Sequence, residues 1–355
     1  MNHPNAEILE DQIVPLEPGA TAAAVFNSGM AAISTLFFAL CPPGSSVVYT
    51  TPLYGGTQSL LDGLLASLGV TSVGVDAGDT AGLRKAIADA KNLRLVFVET
   101  PANPTLRMAD IGAAVQAAAA RKGGEPALVA VDNTLMGPTF QHPVQLGADL
   151  CVYSGTKYLS GFSDMLAGVI IGRDVDLIGR LRRMRSALGN ILQADECWLL
   201  DSRLPTVALR MNTQSATAQR IAEALAKHPA VERIYYPTLF DDPEQVRIRD
   251  AQCHEPGAMF SVDVRGGKAG AFEMLRSLKI ARGAVSLGGV ETLACHPAST
   301  THSGVPAEEL RRIGVSDALV RVSVGIEDGR DLLKDFTQAL NAAAKLGEKV
   351  LAGKY

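Results

Sequence analysis

Strand-like and helix-like segments alternate along the first part of the chain. Short runs of apolar and β-branched residues predict strands, and the amphipathic or apolar stretches between them predict helices. Strands are predicted at 46–50, 72–76, 95–99, 128–132 and 150–154, and helices at 2–16, at 31–40 and in the stretches that end at 68, 90 and 120. This alternation predicts an α/β fold with a mainly parallel sheet covered by helices on both faces.

The pattern changes in the second part of the chain, where the segments become shorter. We predict a long helix at 199–226, strands at 259–264 and 319–324, and a final helix at 328–349. With 355 residues the chain exceeds the size at which single cores stop growing. We therefore predict two domains, a large α/β domain over residues 1–205 and a smaller α+β domain over residues 206–355.

Composition excludes several classes of partner. The 33 basic and 37 acidic residues give a net charge of −4, without the basic stripe that nucleic-acid binding requires. Apolar runs such as 113–120 are too short to span a bilayer, and no leader opens the chain, so we predict a cytoplasmic protein. The five cysteines form no C-x-x-C pair and the six histidines have no ligand spacing, so no metal site is expected.

Lys157 occupies an unusual position for a lysine. The strand predicted at 150–154 ends at Ser154, Thr156 and Lys157 follow it, and another apolar run begins at Met165. An amine in such surroundings loses solvation and tends to titrate low, which suits an imine-forming nucleophile. Alternatively, the side chain extends from the strand end into solvent.

Polar clusters follow three of the predicted strands. They are Glu99–Pro104, which contains Asn103, then Asp132–Thr134, and Ser154–Lys157. In open α/β sheets, ligands bind outside the carboxyl ends of the strands. The three clusters therefore predict one shared site.

Two loops near the start of the chain carry further candidates. Ser28, Gly29 and Met30 precede an apolar helix, whose first turn would offer backbone N–H groups to a phosphate. The alternative is a plain serine cap. Tyr54 stands beside two glycines and is a candidate for stacking on a planar ligand, although loop tyrosines also simply pack.

These candidates together match the requirements of pyridoxal phosphate. The cofactor needs a lysine, a phosphate cup, a stacking ring and an acid, here Asp132, beside its pyridine nitrogen. Arg321 lies on an otherwise apolar strand and should meet a carboxylate, either an internal one or that of a substrate. The main signals of P-loop, Rossmann and α/β-hydrolase proteins are absent from the sequence.

The chain also resembles a known family in seven segments, FNSGMAAIS, PLYGGTQ, VETPANPTL, VDNTLMGP, YSGTKYLSG, VSLGGVETLACHPASTTHS and LVRVSVGIEDGRDLL. They are similar to the cysteine/methionine-metabolism family of fold-type I pyridoxal phosphate enzymes. Its members include cystathionine γ-synthase, cystathionine lyases, methionine γ-lyase and O-acylhomoserine sulfhydrylases. The resemblance implies an aminotransferase-like fold with a mainly parallel seven-stranded sheet and a smaller α+β domain.

The resemblance also implies a role for each candidate residue. By resemblance, Lys157 attaches the cofactor and transfers protons, and Tyr54 stacks on the cofactor and assists acid–base steps. Asp132 binds the pyridine nitrogen and Asn103 lies near the phenolic oxygen. The substrate carboxylate is bound by Ser286 and Arg321, and the phosphate by Ser28, Gly29, Met30, Ser154 and Thr156. The partners implied are small amino acids and further copies of the chain, in a dimer or a tetramer.

The reaction implied by the resemblance is γ-replacement on an O-acylhomoserine with cysteine or sulfide. The alternatives are γ-elimination from cystathionine or methionine, and a cofactor-binding pseudoenzyme. Val285 stands where cystathionine-processing members often have a glutamate, and Gly56 where methionine γ-lyases usually have a cysteine. The chain begins just after the position of the family's N-terminal Tyr-x-Arg arm, so we expect an incomplete phosphate site.

Overall fold

The structure, a computed structural model, describes residues 2–121 and 126–351. The chain divides into two compact units. Unit 1 comprises Met1–Asn103, Arg107–Ala208 and Arg247–His254, and unit 2 comprises Pro104–Leu106, Leu209–Val246 and Glu255–Tyr355. Residues 352–355 of the predicted second domain lie outside the described residues.

Strands and helices alternate through most of unit 1, and the last five strands of the described chain belong to unit 2. The strands are β1 (Ala22–Phe26), β2 (Ser46–Thr51), β3 (Thr71–Asp76), β4 (Leu93–Glu99), β5 (Leu128–Asp132), β6 (Leu150–Ser154), β7 (Gly168–Gly172), β8 (Val231–Tyr235), β9 (Met259–Val264), β10 (Arg282–Gly283), β11 (Leu293–Cys295) and β12 (Leu319–Ser323). The helices are α1 (Pro4–Ile13), α2 (Gly29–Leu40), α3 (Gly55–Ser59, continued by a π-helical segment, Leu60–Leu65), α4 (Thr80–Asp89), α5 (Ile111–Ala119), α6 (Val175–Leu188), α7 (Ala194–Asp201), α8 (Val207–Leu225), α9 (Pro243–Gln252), α10 (Gly267–Ser277), α11 (Ala307–Arg312) and α12 (Gly329–Leu351).

The sheet of unit 1 has seven strands in the order β1-β7-β6-β5-β4-β2-β3. Strands β2 to β6 run parallel to their neighbours, whereas β7 is antiparallel to both β1 and β6. The predicted α/β class and the mainly parallel seven-stranded sheet are confirmed. The apolar pattern did not assign β1 and β7 as strands.

Both faces of this sheet are buried, because successive side chains of a strand point to opposite faces. In β4, Leu95 and Phe97 join the core cluster that contains α2, whereas Val96 and Val98 join the cluster that contains α5. Phe97 is fully buried, and burying a side chain of this kind contributes about 1.5–3 kcal/mol. The two apolar layers fix the strand ends on which the candidate residues lie.

The predicted long helix at 199–226 is wrong, because the chain breaks it near its start. Helix α7 ends at Asp201, a 3₁₀ turn covers Leu204–Thr206, and α8 begins at Val207. Pro205 has no backbone N–H and cannot continue a helix that began several residues earlier. Apolar spacing alone does not register this break.

Unit 2 contains a five-stranded sheet in the order β10-β11-β12-β9-β8. The strands from β11 to β8 are antiparallel, and all five residues of β12 are buried. Helices α10 and α12 pack against each other, and Phe336 of α12 meets Phe260 of β9 edge-on, with ring centroids 5.9 Å apart. The predicted smaller α+β unit is confirmed. Within the described parts of both units, no helix has the length and apolar character needed to cross a membrane.

Candidate active site

Three strand ends meet at one edge of the unit 1 sheet. Glu99, the last residue of β4, pairs in register with Asp132, the last residue of β5. Asp132 pairs in turn with Val152 of β6, two residues before Ser154. The predicted polar clusters therefore lie side by side, as parallel strands require.

The start of α2 approaches the same edge. Ser28 caps this helix, its Oγ accepting the N–H of Ala31 at 3.0 Å. A Cβ on Gly29 would lie 3.0 Å from both Cβ and Oγ of Ser154, and one on Gly168 only 2.1 Å from the carbonyl oxygen of Ser28. The missing side chains let the helix start lie against the end of β6. The first-turn N–H groups have no carbonyl partner within the helix, so they can bind an anion there.

The two hydroxyls predicted on the phosphate side differ in their surroundings. The Oγ1 of Thr156 donates to the carbonyl of Ala167 at 3.3 Å and accepts the Ala167 N–H at 3.1 Å. The Oγ of Ser154 has no hydrogen bond to any side chain or backbone group that the structure describes, and it lies beside the α2 start. Ser154 is thus ready to donate, whereas Thr156 must first release Ala167.

Lys157 lies on a tight turn three residues beyond β6. Its N–H donates to the carbonyl of Ser154 at 3.1 Å, and its own carbonyl accepts the N–H of Gly161 at 2.8 Å. The residue is half-buried. The turn therefore fixes the backbone from which the amine extends.

Asp132 is held by Thr134, a residue for which no role was predicted. Its Oδ1 accepts the Thr134 N–H at 3.1 Å and the Thr134 hydroxyl at 2.6 Å, and Oγ1 of Thr134 accepts the N–H of Ser154 at 2.8 Å. Burial raises the pKa of Asp132, and the two hydrogen bonds from Thr134 oppose that rise. This chain of bonds joins the predicted nitrogen-binding acid to the predicted phosphate side.

Glu99 holds the two flanking loops, a contact that was not predicted from the sequence. Its carboxylate accepts the N–H of Tyr54 at 2.8 Å and the N–H of Asn103. Burial, followed by the neighbouring charge of Asp132, raises the pKa of Glu99 well above its ordinary value. A glutamate as the last residue of an apolar strand was the available signal, because its charge is costly there unless it serves a purpose.

The arrangement fits pyridoxal phosphate. The α2 start and Ser154 offer donors to a phosphate, Asp132 offers an acid to a ring nitrogen, and the side chain of Tyr54 is 57% exposed beside them. The Oδ1 of Asn103 is buried and has no hydrogen-bond partner among the described residues. An orphaned buried acceptor is costly unless a group from outside the chain satisfies it.

The two predicted carboxylate-binding residues lie in unit 2. Arg321 of β12 is 2% exposed, and its Nη2 donates to the carbonyl oxygen of Ser286 at 2.6 Å. Its Nε is buried without a partner, and no described carboxylate forms an ion pair with it. The internal carboxylate partner is therefore not found among the described residues, and the substrate carboxylate stays a prediction. Burial and then the charge of Arg321 lower the pKa of nearby His302.

The structure thus groups the predicted residues in two sets. Unit 1 contains Ser28, Gly29, Met30, Tyr54, Asn103, Asp132, Ser154, Thr156 and Lys157, and unit 2 contains Ser286 and Arg321.

Comparison with known proteins places the chain in a family. The model of a family described as Cys/Met metabolism PLP-dependent enzyme matches residues 1–341. An L-methionine γ-lyase of Pseudomonas deceptionensis is 41% identical over 97% of this chain and 85% of the relative. A cystathionine β-lyase of Bacillus subtilis is 39% identical over 96% of this chain and 85% of the relative.

A solved structure agrees with these matches. Cystathionine γ-synthase from Xanthomonas oryzae pv. oryzae, crystallised with cystathionine, superposes with a TM-score of 0.91 at 34% identity, over 97% of this chain and 87% of that one. Because the family model and the relatives cover nearly the whole chain, the protein belongs to the Cys/Met metabolism family of PLP-dependent enzymes of sulfur amino acid metabolism, and pyridoxal phosphate is its cofactor.

Proposed function

We propose that the chain cleaves the bond between Cγ and a sulfur or oxygen substituent in an L-amino acid with a four-carbon skeleton. The observation that carries this proposal is the set of polar groups at the neighbouring strand ends, Asp132, Ser154 and the turn of Lys157, in a chain of this family. The buried Nε of Arg321 adds a group suited to an amino acid carboxylate.

Each residue has a definite task in this proposal. Lys157 holds the cofactor and, once released from it, moves protons at Cα and Cβ of the substrate, since one positioned amine can serve both carbons. Tyr54 covers the cofactor ring and assists proton transfer, while Asp132 holds the ring nitrogen. When bound, pyridoxal phosphate supplies the electron sink that makes these protons removable.

The remaining candidates bind rather than react. Ser28, Gly29, Met30, Ser154 and Thr156 hold the phosphate, and Asn103 lies at the phenolic oxygen. Arg321 and Ser286 hold the substrate carboxylate, which orients Cα and Cβ for proton removal.

The main reaction we infer is γ-elimination, in which the substrate and one water molecule yield a thiol, ammonia and 2-oxobutyrate. Both curated relatives described above are lyases, which favours elimination over replacement. Val285, half exposed and adjacent to Ser286, offers no charge to the distal ammonium of cystathionine. The preferred substrate is therefore one with an uncharged γ-substituent, such as methionine.

A second candidate is γ-replacement on an O-acylhomoserine with cysteine or sulfide. The similarity to a cystathionine γ-synthase favours it, and so does Gly56. A Cβ on Gly56 would lie 2.7 Å from Cε1 of Tyr54, so the cysteine usual in methionine γ-lyases does not fit beside this ring as it stands.

A substrate panel tests both candidates. Methionine, cystathionine, O-acetylhomoserine and O-succinylhomoserine are each supplied with and without cysteine or sulfide, and 2-oxobutyrate is measured against thioether or homocysteine. The proposal expects 2-oxobutyrate from methionine without added thiol. Thioether or homocysteine formed solely from O-acylhomoserines with added thiol would establish the second candidate instead. No turnover of any of the four would refute chemistry at Cγ.

The proposed enzyme works as a homo-oligomer, a dimer or a tetramer of paired dimers. Helices α1 and α7 pack on each other, yet Ile8 of α1 is 54% exposed and Trp198 of α7 is 65% exposed. Large apolar side chains of this kind are stabilised by burial against a second copy. Sedimentation at micromolar concentration should give a mass above that of one chain, and a monomer would contradict the proposal.

A further inference from the structure

Every second residue from Arg321 to Glu327 contacts one loop of unit 2, the segment 286–292. Arg321 donates from Nη2 to the carbonyl of Ser286 at 2.6 Å. Two residues later, Oγ of the fully buried Ser323 accepts the N–H of Gly288 at 2.9 Å. The same face of β12 therefore holds the loop at two points, because side chains repeat with a period of two along a strand.

The series continues beyond the end of β12. The N–H of Gly325 donates to Oγ1 of Thr292 at 2.8 Å, and the Thr292 hydroxyl donates to Oε2 of Glu327 at 2.7 Å. Oε1 of Glu327 accepts the N–H of Thr292 at 2.7 Å. The Thr292 hydroxyl thus donates its proton to Glu327 and accepts the N–H of Gly325. A Cβ on Gly325 would lie 2.3 Å from the carbonyl oxygen of Val290, so the two segments touch backbone to backbone.

A side chain of helix α8 also binds both the loop 286–292 and the segment that follows β12. The fully buried Gln214 donates from Nε2 to the carbonyls of Gly289 at 2.7 Å and Val324 at 2.9 Å. The loop that begins at Ser286 is therefore hydrogen-bonded at several of its residues to β12, to the segment after β12 and to α8.

The loop holds a conformation that needs such support. Ser286 has a φ of +85°, in the left-handed region that non-glycine residues seldom adopt. Such a backbone persists only where its surroundings over-determine it, and it concentrates at ligand sites. The carbonyl of Ser286, fixed in this way, occupies Nη2 of Arg321 and leaves Nε without a partner.

We propose that Thr292, Ser323 and Glu327 are positioning residues, which keep the loop 286–292 in the conformation that lets Ser286 and Arg321 receive the substrate carboxylate. The inference rests on the proposed role of Ser286 and Arg321. It concerns residues that do not touch the substrate and act through the loop. Preorganisation of this kind lowers the cost of binding, since the receiving groups are ordered before the ligand arrives.

The test compares Thr292→Val with Thr292→Ser in the cofactor-loaded enzyme. Valine keeps the shape but removes the hydroxyl, which leaves the Gly325 N–H and one Glu327 oxygen without a partner, whereas serine keeps the hydroxyl. The ligand is L-2-aminobutyrate, which has the carboxylate but no leaving group at Cγ, and its binding is followed through the absorbance of the cofactor. Propylamine, the same molecule without the carboxylate, is the control ligand.

We expect Thr292→Val to weaken binding of L-2-aminobutyrate roughly tenfold, because part of the free energy of the two lost hydrogen bonds appears as weaker binding. Propylamine binding and cofactor affinity should stay unchanged, and Thr292→Ser should bind both ligands as the wild type does. With a reacting substrate, KM should rise more than kcat falls. A merely structural role would move both ligands together or neither.

Ser323→Ala provides a second variant, since it removes only the acceptor for Gly288, and the same ligand pattern is expected from it. Arg321→Ala separates the two levels of the proposal. If it weakens L-2-aminobutyrate while Thr292→Val and Ser323→Ala do not, the positioning roles are refuted and the carboxylate site stands. If Arg321→Ala itself leaves the affinity as in wild type, the proposed carboxylate site is wrong, and the positioning roles fall with it.

Discussion

The two sets of candidate residues, one in each unit, are constructed in different ways. In unit 1 the groups come from the ends of three separate strands and from the start of α2, and buried acids join them by accepting backbone N–H groups. In unit 2 they come from one strand and one loop, joined at every second residue. The unit 1 set thus depends on the topology of a whole sheet, whereas the unit 2 set depends on a local ladder of hydrogen bonds.

The largest expected effect comes from Lys157→Ala, which removes the amine proposed to hold the cofactor and to move protons at Cα and Cβ. Loss of a group that transfers protons at two carbons should lower kcat by at least about 10³-fold. Steady-state kinetics measure this, and the absorbance band of the bound cofactor should change with it. Lys85→Ala, at an exposed position on α4, is the control and should leave both readouts as in wild type.

Retention of more than a tenth of the activity in Lys157→Ala would show that Lys157 does not supply the reacting group. The proposed catalytic role of the unit 1 set would then be refuted.

Next in size are two substitutions, one in each unit, that should differ in whether they change KM or kcat. Arg321→Ala removes the guanidinium proposed for the carboxylate and should raise KM about 10²-fold, with cofactor affinity unchanged. Asp132→Asn removes the charge beside the ring nitrogen and should lower kcat about 10²-fold, with less effect on KM. Initial-rate kinetics and a cofactor titration on both variants measure the split. Identical signatures from the two variants would contradict the division of labour.

The last prediction concerns stability rather than activity, and it is a pH trend that arises at Glu99. Its pKa lies at about 8 because burial disfavours the charge, so the folded protein keeps a proton that the unfolded chain loses above its ordinary pKa of 4.5. The free energy of unfolding should therefore fall as pH rises from about 5 to 8, by at most about 1.4 kcal/mol per pH unit. Glu99→Gln keeps an acceptor for Tyr54 and has no proton to lose.

Urea denaturation of the cofactor-free protein at several pH values checks this trend. The variant should gain stability relative to wild type as pH rises to 8 and show no further gain above it. Glu7→Gln, at an exposed position on α1, should run parallel to wild type throughout. Parallel curves for Glu99→Gln as well would mean that Glu99 is ionised in the folded protein across this range.

Much of unit 1 could be predicted from sequence because a polar residue at the end of an apolar run marks the end of a strand. The apolar run at 128–132 stops at Asp132 and the run at 150–154 stops at Ser154, and parallel strands bring such ends together. The role of Glu99 was not accessible, since its partner Tyr54 lies 45 residues earlier and the bond depends on how two loops fold back. Thr134 was in a recognised cluster, but its hydroxyl bond to Asp132 requires the turn geometry.

Unit 2 was less accessible for a related reason. The alternation of β12 was visible, but the partners of Ser323 and Glu327 lie about 35 residues away in a loop without periodicity. The break between α7 and α8 was missed because a leucine pattern dominated over one proline. Pairwise contacts between distant loops leave no pattern in a single sequence.

The space around Gly56 limits which substitutions this position can accept. Any side chain there begins with a Cβ, which would lie 2.7 Å from Cε1 of Tyr54 and 2.9 Å from Sδ of Met30. The Met30 thioether can rotate away, but the Tyr54 ring is the one proposed to cover the cofactor. A cysteine at this position therefore becomes acceptable only after its neighbours have shifted. The effect of a mutation at position 56 therefore depends on the side chains of Tyr54 and Met30, which is epistasis between neighbouring residues.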